Sequence, residues 1–353
     1  MRTNRFRGFV LSALACALIV PAAETRALAQ TKDQQKPQTP PQAPGGFSIS
    51  VTVPVVNMDV VVTDNSGNFL TGLKKENFRV SEEGQVQSIT NFGTTDAPIT
   101  IVLLLEFSAR GGGLFTYNSA NWAAEFLNNL KPTDWVALET FSMRPNVEVD
   151  FTHDRNQVMQ GLVQLVFPPF HEANLFDAIA DTVDRMQDVK GKKAVLVLAQ
   201  GIDTFSKLTF DQITKRLRDT DVTIFTIGVG EAQFLIADSL DSGTEPGARM
   251  DYLQAQNEMR TFSALTGGRS WFPRFEGEIG SMMQDVAASL RNQYSLSYTP
   301  SNVALDGKYH KIKVELVAPD GGPLTVTNQK GKKVKFQVYA RQGYTAPKSN
   351  IGG

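Results

Sequence analysis

The segment ITIVLLLEFSARGGG, residues 99–113, decides the fold. It begins as an uninterrupted apolar run, which is typical of a parallel strand buried on both faces of a sheet. The run ends on Glu106, Ser108 and Arg110, and three glycines follow. Ligands of open α/β sheets bind just beyond the carboxyl ends of the strands. These polar side chains therefore mark a candidate site.

Short apolar runs alternate with helical patterns on the carboxyl side of this segment. The runs that predict further strands are WVALETF, VEVDF, AVLVLA and VTIFTIGVG, and helical spacing appears in YNSANWAAEFLNNL, NLFDAIADTVDRMQDV, FDQITKRLRD, MDYLQAQNEMRTFSALTGG and EIGSMMQDVAASLRNQ. Gly267 is the predicted stop of the fourth helix. The alternation predicts an α/β domain over residues 98–293 with a doubly wound, mostly parallel sheet.

Antiparallel β patterns flank this domain on both sides. Residues 47–97 alternate apolar and polar positions around turns at Asp64–Gly67 and Glu83-Gly84, and residues 294–345 do so around Asp320-Gly321-Gly322. Two or three strands are only marginally stable alone. We therefore expect the two β segments to pair across the inserted domain into one sandwich-like module.

The sequence patterns at the two ends of the chain predict segments outside the globular fold. Residues 1–29 have the layout of a signal peptide, with a basic start, an apolar core and Ala27-Leu28-Ala29 as cleavage site. Residues 30–46 form a Pro/Gln-rich linker, and residues 346–353 a disordered tail. We expect export to the periplasm or the outside of the cell, and no membrane span after cleavage. Cys16, the only cysteine, lies in the leader, where a lipoprotein anchor is the alternative.

The composition excludes several classes of function. With 41% hydrophobic and 20% charged residues and a formal net charge of -1, the chain has no basic footprint for nucleic acid. Neither a GxGxxG nor a phosphate-binding GxxxxGK[ST] motif is present, so nucleotide binding has no support. No GxSxG elbow surrounds Ser108, and the three histidines lie in different regions.

The tryptophans and Asp177 are expected to have structural and not functional roles. Trp122, Trp135 and Trp271 fall within or beside predicted elements, so we expect them in or near the core. Asp177 lies in the first turn of a helix, where the helix dipole favours an acid. Residues 235–252 are predicted as a long polar excursion, either a recognition loop or a mobile insertion.

The strand that ends in acid-x-Ser, the helix LFDAI and the loop AQGIDT together resemble a von Willebrand factor type A domain. The stretches NMDVVVTDNSGNFLTGLKKENFRVSEEG, FTHDRNQV and YSLSYTP are similar to VWFA-related proteins of acidobacteria, over about residues 47–345. The resemblance implies protein binding through a divalent metal ion. In that family, five side chains on three loops hold the ion in a pattern of DxSxS, a threonine and an aspartate, since Mg²⁺ demands octahedral oxygen coordination.

The five metal-binding positions of the family fall on Glu106, Ser108, Arg110, Ala173 and Gln200. Two of these residues offer no ligand oxygen, and an amide replaces a carboxylate. A guanidinium near the metal position also repels a divalent ion. The resemblance therefore implies a degenerate site, and we expect no cofactor. Glu106 pairs with Arg110 in one interpretation; in the other, Arg110 points into solvent and Glu106 accepts backbone hydrogen bonds.

The function expected from these observations is an exported, non-catalytic module for protein–protein interaction or adhesion. Its predicted partner-binding residues lie around the strand ends: Glu106, Ser108, Arg110, His171, Gln200 and Asp203. A second hypothesis is a Mg²⁺-dependent adhesion module that binds the ion through Glu106, Ser108 and either Asp203 or water. A third is a serine hydrolase with Ser108 as nucleophile and His171 as base.

Overall fold

The computed structural model describes residues 55–94, 97–109, 112–166, 168, 170–239, 247–302, 305–327 and 332–348. The predicted signal peptide and linker, Arg110, and residues 349–353 of the predicted tail lie outside these residues. Within the described ranges, no helix combines the length and the apolar character needed to cross a membrane.

The strands are numbered in chain order. They are β1 (Val56–Asp64), β2 (Phe78–Glu82), β3 (Gln85–Gln87), β4 (Ile89–Thr94), β5 (Ile99–Glu106), β6 (Trp135–Phe141), β7 (Pro145–Thr152), β8 (Lys192–Ala199), β9 (Thr223–Gly228), β10 (Ser270–Trp271), β11 (Gln293–Tyr298), β12 (Tyr309–Leu316), β13 (Val326–Thr327), β14 (Lys333–Val334), β15 (Phe336–Ala340) and β16 (Gly343–Thr345).

The helices are numbered in the same way. They are α1 (Gly112–Asn128), α2 (Arg155–Gln164), α3 (Leu175–Arg185), α4 (Phe210–Asp219), α5 (Gly230–Ser239), α6 (Ala248–Thr266) and α7 (Ile279–Arg291). Two of their ends have clear local causes. Thr209 and Gln212 form a capping box at the start of α4, and Gly267, with a φ of 86°, ends α6 as predicted.

A six-stranded sheet with the order β10-β9-β8-β5-β6-β7 forms the centre of the α/β domain. Its strands run parallel except β7, which pairs antiparallel with β6 at one edge. Every residue of β5 is buried. Helices α1, α2 and α7 supply apolar side chains to one core cluster and helices α3, α4 and α6 to another. The predicted doubly wound, mostly parallel sheet is confirmed.

The two β flanks share their sheets. One sheet has the order β15-β1-β11-β4 and the other β16-β12-β2-β3. In the first, Met58 of the amino-terminal flank faces Leu296 of the carboxyl-terminal flank across an antiparallel pair. Side chains from both sheets, among them Val60 of the first and Phe78 of the second, form one apolar cluster. The expected pairing into a sandwich is therefore present, whereas the predicted domain boundaries stay a prediction.

Several local predictions were wrong. Helices α2 and α5 were not predicted. The supposed polar excursion at residues 235–252 contains the end of α5 and the start of α6, and residues 240–246 lie outside the described part. Trp135 is 41% exposed rather than in the core, and its ring packs on His153 with centroids 3.7 Å apart. Trp122 is buried, as expected.

A cluster of buried polar groups fastens the sandwich from within. The Glu82 carboxylate accepts hydrogen bonds from the Tyr298 hydroxyl at 2.6 Å and the Tyr344 hydroxyl at 3.2 Å. His310 places Nδ1 2.9 Å from Glu82 Oε1 and Nε2 3.2 Å from Asp306 Oδ1. Burial lowers the pKa of His310, but the hydrogen bonds and negative charges of Glu82 and Asp306 outweigh it and raise this pKa overall.

The protonated His310 imidazolium is expected to stabilise the sandwich. Because its pKa in the folded chain is raised, the contribution is fully present below the unfolded pKa of about 6.5 and is lost as pH rises through the folded value. The free energy of unfolding, measured by urea denaturation across this range, should fall with rising pH, and less steeply in His310→Gln. Val86→Gln changes an exposed residue that has no titratable group and should retain the wild-type slope. An unchanged slope in His310→Gln would contradict the assignment.

Candidate functional site

The carboxyl end of β5 is held by backbone hydrogen bonds to its neighbours. The Phe107 N–H donates to the Phe141 carbonyl at 2.8 Å, and the Ala109 N–H donates to the Phe170 carbonyl at 2.6 Å. The second bond ties the loop after β5 to the loop before α3. These two hydrogen bonds hold the end of β5 and the loop that follows it, and they thereby fix the positions of Glu106 and Ser108.

The Glu106 carboxylate joins the tips of β5 and β8. It accepts a hydrogen bond from the Ser108 hydroxyl at 2.6 Å, from the Gln200 backbone N–H at 2.8 Å, and from the Gln200 side-chain amide at 3.4 Å. All three residues are at most 3% exposed. The buried acid thus connects the ends of two neighbouring strands, and we call Glu106, Ser108 and Gln200 the Glu106 hub.

A second set of bonds joins the loop after β8 to the loop before α3. The Thr204 hydroxyl accepts from the Ala173 N–H at 2.9 Å, and the Thr204 N–H donates back to the Ala173 carbonyl at 2.8 Å. Asp203 accepts from the Phe176 N–H at 3.3 Å and from the Ser206 hydroxyl at 2.5 Å. Burial raises the pKa of Asp203, and these hydrogen bonds oppose the rise. Asp203 is thus half-buried and engaged within its own loops.

Asp177 has a more specific role than its position in the first helical turn indicated. Its carboxylate accepts from the Lys207 N–H at 2.9 Å and from the Leu208 N–H at 3.0 Å. Its own N–H donates to the Ser206 hydroxyl at 3.1 Å. The first turn of α3 therefore fastens the loop that follows β8.

The donor set at the strand tips differs from a five-ligand magnesium site. Ala173 offers a methyl group, and both oxygens of the Glu106 carboxylate accept hydrogen bonds. Among the described residues, no group of three histidine, cysteine, aspartate or glutamate side chains is placed to hold a metal ion. Mg²⁺ requires near-octahedral oxygen coordination. The described positions supply one hydrogen-bonded carboxylate, one hydroxyl and one amide towards that requirement, and the expectation that no metal cofactor binds stays a prediction.

The structure brings together some of the predicted site residues and separates others. Glu106, Ser108 and Gln200 meet in the hub, whereas His171 is exposed on the loop before α3. Within the described part of the chain, no hydrogen bond joins Ser108 to His171, so the nucleophile–base pair of a hydrolase is not assembled there. Arg110 lies outside the described residues. The assignment of these residues to partner binding stays a prediction.

Two exposed aromatic side chains were missed by the sequence reasoning. Phe170 is 46% exposed and Phe205 is 48% exposed. They lie on the loops before α3 and after β8, and these loops are hydrogen-bonded to each other by Phe205 N–H to the Ala173 carbonyl at 3.0 Å. Their signal in the sequence was an aromatic residue inside a polar or proline-rich loop, as in FPPFHEA and DTFSK.

A family comparison agrees with this architecture. Residues 100–263 match the sequence profile of the von Willebrand factor type A domain. The match spans β5 to α6, which includes both loops of the candidate site. Residues 100–263 are a von Willebrand factor type A domain. The matched part of this von Willebrand domain includes the carboxyl end of β5, where Glu106 and Ser108 lie.

Solved structures of similar shape exist at low sequence identity, whereas no curated protein matches the chain. BatB from Bacteroides thetaiotaomicron is 11% identical with a TM-score of 0.39, over 55% of this chain and 99% of that chain. The vWF domain of the type V pili tip protein Mfa5 from Porphyromonas gingivalis is 10% identical with a TM-score of 0.42, over 56% and 96%. Proximal thread matrix protein 1 from the mussel byssus is 12% identical with a TM-score of 0.44, over 60% and 51%.

Replacing Asp177 by alanine should loosen the loop after β8. Two backbone N–H groups would lose a charged acceptor, and hydrogen bonds to charged groups contribute about 1.5–3 kcal/mol each at most. Hydrogen exchange of the Lys207 and Leu208 amides should accelerate strongly. Asp181→Ala, an exposed acid one turn further along α3, is the matched control. Equal exchange rates in the two variants would refute the bracing role.

Proposed function

We propose that the chain is an exported, non-catalytic protein-interaction module whose partner surface is the carboxyl edge of the central sheet. The observation that carries this proposal is the pair of exposed phenylalanines, Phe170 and Phe205, on two loops that are hydrogen-bonded to each other or to the loop after β5. Aromatic side chains are enriched in protein interfaces because they bury a large apolar area at low entropic cost. The family match supports protein binding, and the leader in residues 1–29 supports export.

The proposed surface is pre-organised. Phe170 is fixed through its carbonyl to the Ala109 N–H, and Phe205 through its N–H to the Ala173 carbonyl. His171, exposed between them along the chain, adds a polar group to the same surface. Little loop ordering is then left for the binding step, which favours affinity.

We further propose that partner binding at this surface needs no divalent ion. A buried carboxylate that is already solvated by Ser108 and Gln200 gains little from an ion and would have to exchange these bonds. Ala173 and Gln200 stand where the family resemblance places a threonine and an aspartate. In this proposal the hub has a structural role inside the domain, and the partner contacts the exposed phenylalanine side chains.

A non-catalytic role is supported by the state of Ser108. Its hydroxyl donates to a carboxylate and is 3% exposed. A nucleophilic serine requires a base within hydrogen-bond reach and access to substrate. The second condition fails, because Ser108 is almost fully buried, and the proposal therefore assigns Ser108 to the hub.

Magnesium should not stabilise the wild-type chain. Thermal unfolding is expected to be the same with Mg²⁺ or with EDTA. The combined variant Glu106→Asp, Arg110→Ser, Ala173→Thr and Gln200→Asp restores the family's donors, and its melting temperature should rise with Mg²⁺ because an ion that binds only the folded state stabilises it. A wild-type chain that Mg²⁺ stabilises and EDTA destabilises would establish the metal-dependent alternative, whatever the variant does.

A photoreactive residue at position 171 should crosslink to a partner in the native cell envelope. The same residue at position 86, where Val86 is 66% exposed on the sandwich, is the positional control. Phe170→Ser with Phe205→Ser should abolish the crosslink at position 171, because the apolar contact surface is lost. Crosslinking at position 86 and not at 171 would contradict the proposed surface.

A further inference from the structure

A cavity of about 590 Å³ lies where the α/β domain meets the sandwich. Its walls include the first residues of β8 and β9, Lys192 and Thr223, so it lies at the amino edge of the central sheet. The Glu106 hub is at the opposite, carboxyl edge. The volume is within the range of small-molecule sites.

The sandwich supplies the facing wall. Asn57 and Asp59 come from β1, Ser297 from β11 and Tyr344 from β16. Arg341, between β15 and β16, completes this wall. The cavity thus has polar groups from both modules together with an apolar portion that includes Met58.

The charges that line the cavity do not cancel. Lys192 lies 3.5 Å from Asp59 and donates to the Gln293 side-chain oxygen at 2.6 Å. Lys193 pairs with Asp221 at 2.7 Å. Arg341 has no carboxylate within ion-pair distance among the residues that the structure describes. One positive charge therefore remains uncompensated.

The Arg341 guanidinium is fixed in place by carbonyl groups. Its Nε donates to the Gly343 carbonyl at 2.8 Å, and Nη2 donates to the Thr220 carbonyl at 3.1 Å, just beyond the end of α4. No described acceptor takes a hydrogen bond from Nη1. Burial lowers the pKa of Arg341, and Asp221 is among the groups that oppose this shift. Arg341 is partly buried, and an anion beside such a cation offsets the cost of its lost hydration.

We propose that this cavity binds a small organic carboxylate, whose carboxylate group pairs with Arg341. Guanidinium groups recognise carboxylates through parallel hydrogen bonds, and the single excess charge matches a monoanion better than a phosphate dianion. On the facing wall, the Ser297 hydroxyl donates to the Asn57 side-chain oxygen at 2.7 Å, which leaves the Asn57 NH2 group to donate to, and the Ser297 oxygen to accept from, hydroxyl groups of the ligand. This site is separate from the proposed partner surface and does not depend on it.

The test is calorimetric titration of the full chain with lactate, D-glucuronate and benzoate. D-glucose and inorganic sulfate at matched ionic strength serve as the neutral and the inorganic control. At least one carboxylate should bind, and Arg341→Gln should weaken it by about tenfold or more, as expected for loss of a charged hydrogen-bonded pair. Lys215→Gln removes an exposed cation from α4 and should leave binding unchanged.

A second variant keeps the test decisive if Arg341→Gln does not fold. Asn57 is exposed on β1, so Asn57→Trp should fold and fill the cavity without touching a cation. It should abolish carboxylate binding, whereas Val86→Trp on β3 should not. Failure of every carboxylate to bind, binding of sulfate with equal affinity, or full binding by Asn57→Trp would each overturn the proposal.

Discussion

Complete burial of β5 is the constraint on which the rest of the α/β domain depends. A strand with water on neither face must satisfy its backbone groups through its neighbours, and β6 and β8 do so on the two sides in parallel register. The helices then have to cover both faces. The same constraint reaches Glu106, the last residue of the strand, because an acid buried at that point requires donors from the adjoining strand tip. Gln200 at the end of β8 supplies them.

The junction between the two modules depends on cations held by neutral groups. Arg269 donates to the Ser289 hydroxyl at 3.0 Å, and its guanidinium lies 4.7 Å from the Trp271 ring centroid and 4.9 Å from that of Tyr339. Trp271 belongs to the central sheet and Tyr339 to the sandwich. Arg341 similarly reaches from the sandwich to the carbonyl groups after α4. Such cation–π and carbonyl contacts contribute modest energies individually, yet they fix the modules in one orientation.

The sequence predicted the elements that have a periodic apolar pattern. It predicted much less of the features that depend on tertiary contacts. Buried runs and helical spacing predicted β5, β8, β9 and most helices. Helix α2 was missed because its apolar residues are only weakly segregated to one helical face, unlike those of α4, and only Val158 and Leu162 are buried. Trp135 was assigned to the core from its residue type, but at the first position of β6 its side chain lies on His153 instead. For the site, the sequence placed Glu106 near Gln200; the role of Asp177 required the path of a loop that no local pattern encodes.

Under the proposed function, the partner surface would obtain its binding energy from the exposed phenylalanines and not from a metal ion at the hub. When a partner binds through a metal ion, the binding energy comes from a few polar contacts, and the ion and its ligands must first lose bound water. Burying a phenylalanine side chain contributes about 1.5–3 kcal/mol through the hydrophobic effect. Because the Glu106 bonds lie inside the domain, a partner that covers Phe170 and Phe205 leaves them intact and removes no solvating group from the acid. Apolar contact is also little screened by salt, unlike an attraction between exposed charges. A surface of this kind would keep its affinity when the ion concentration changes.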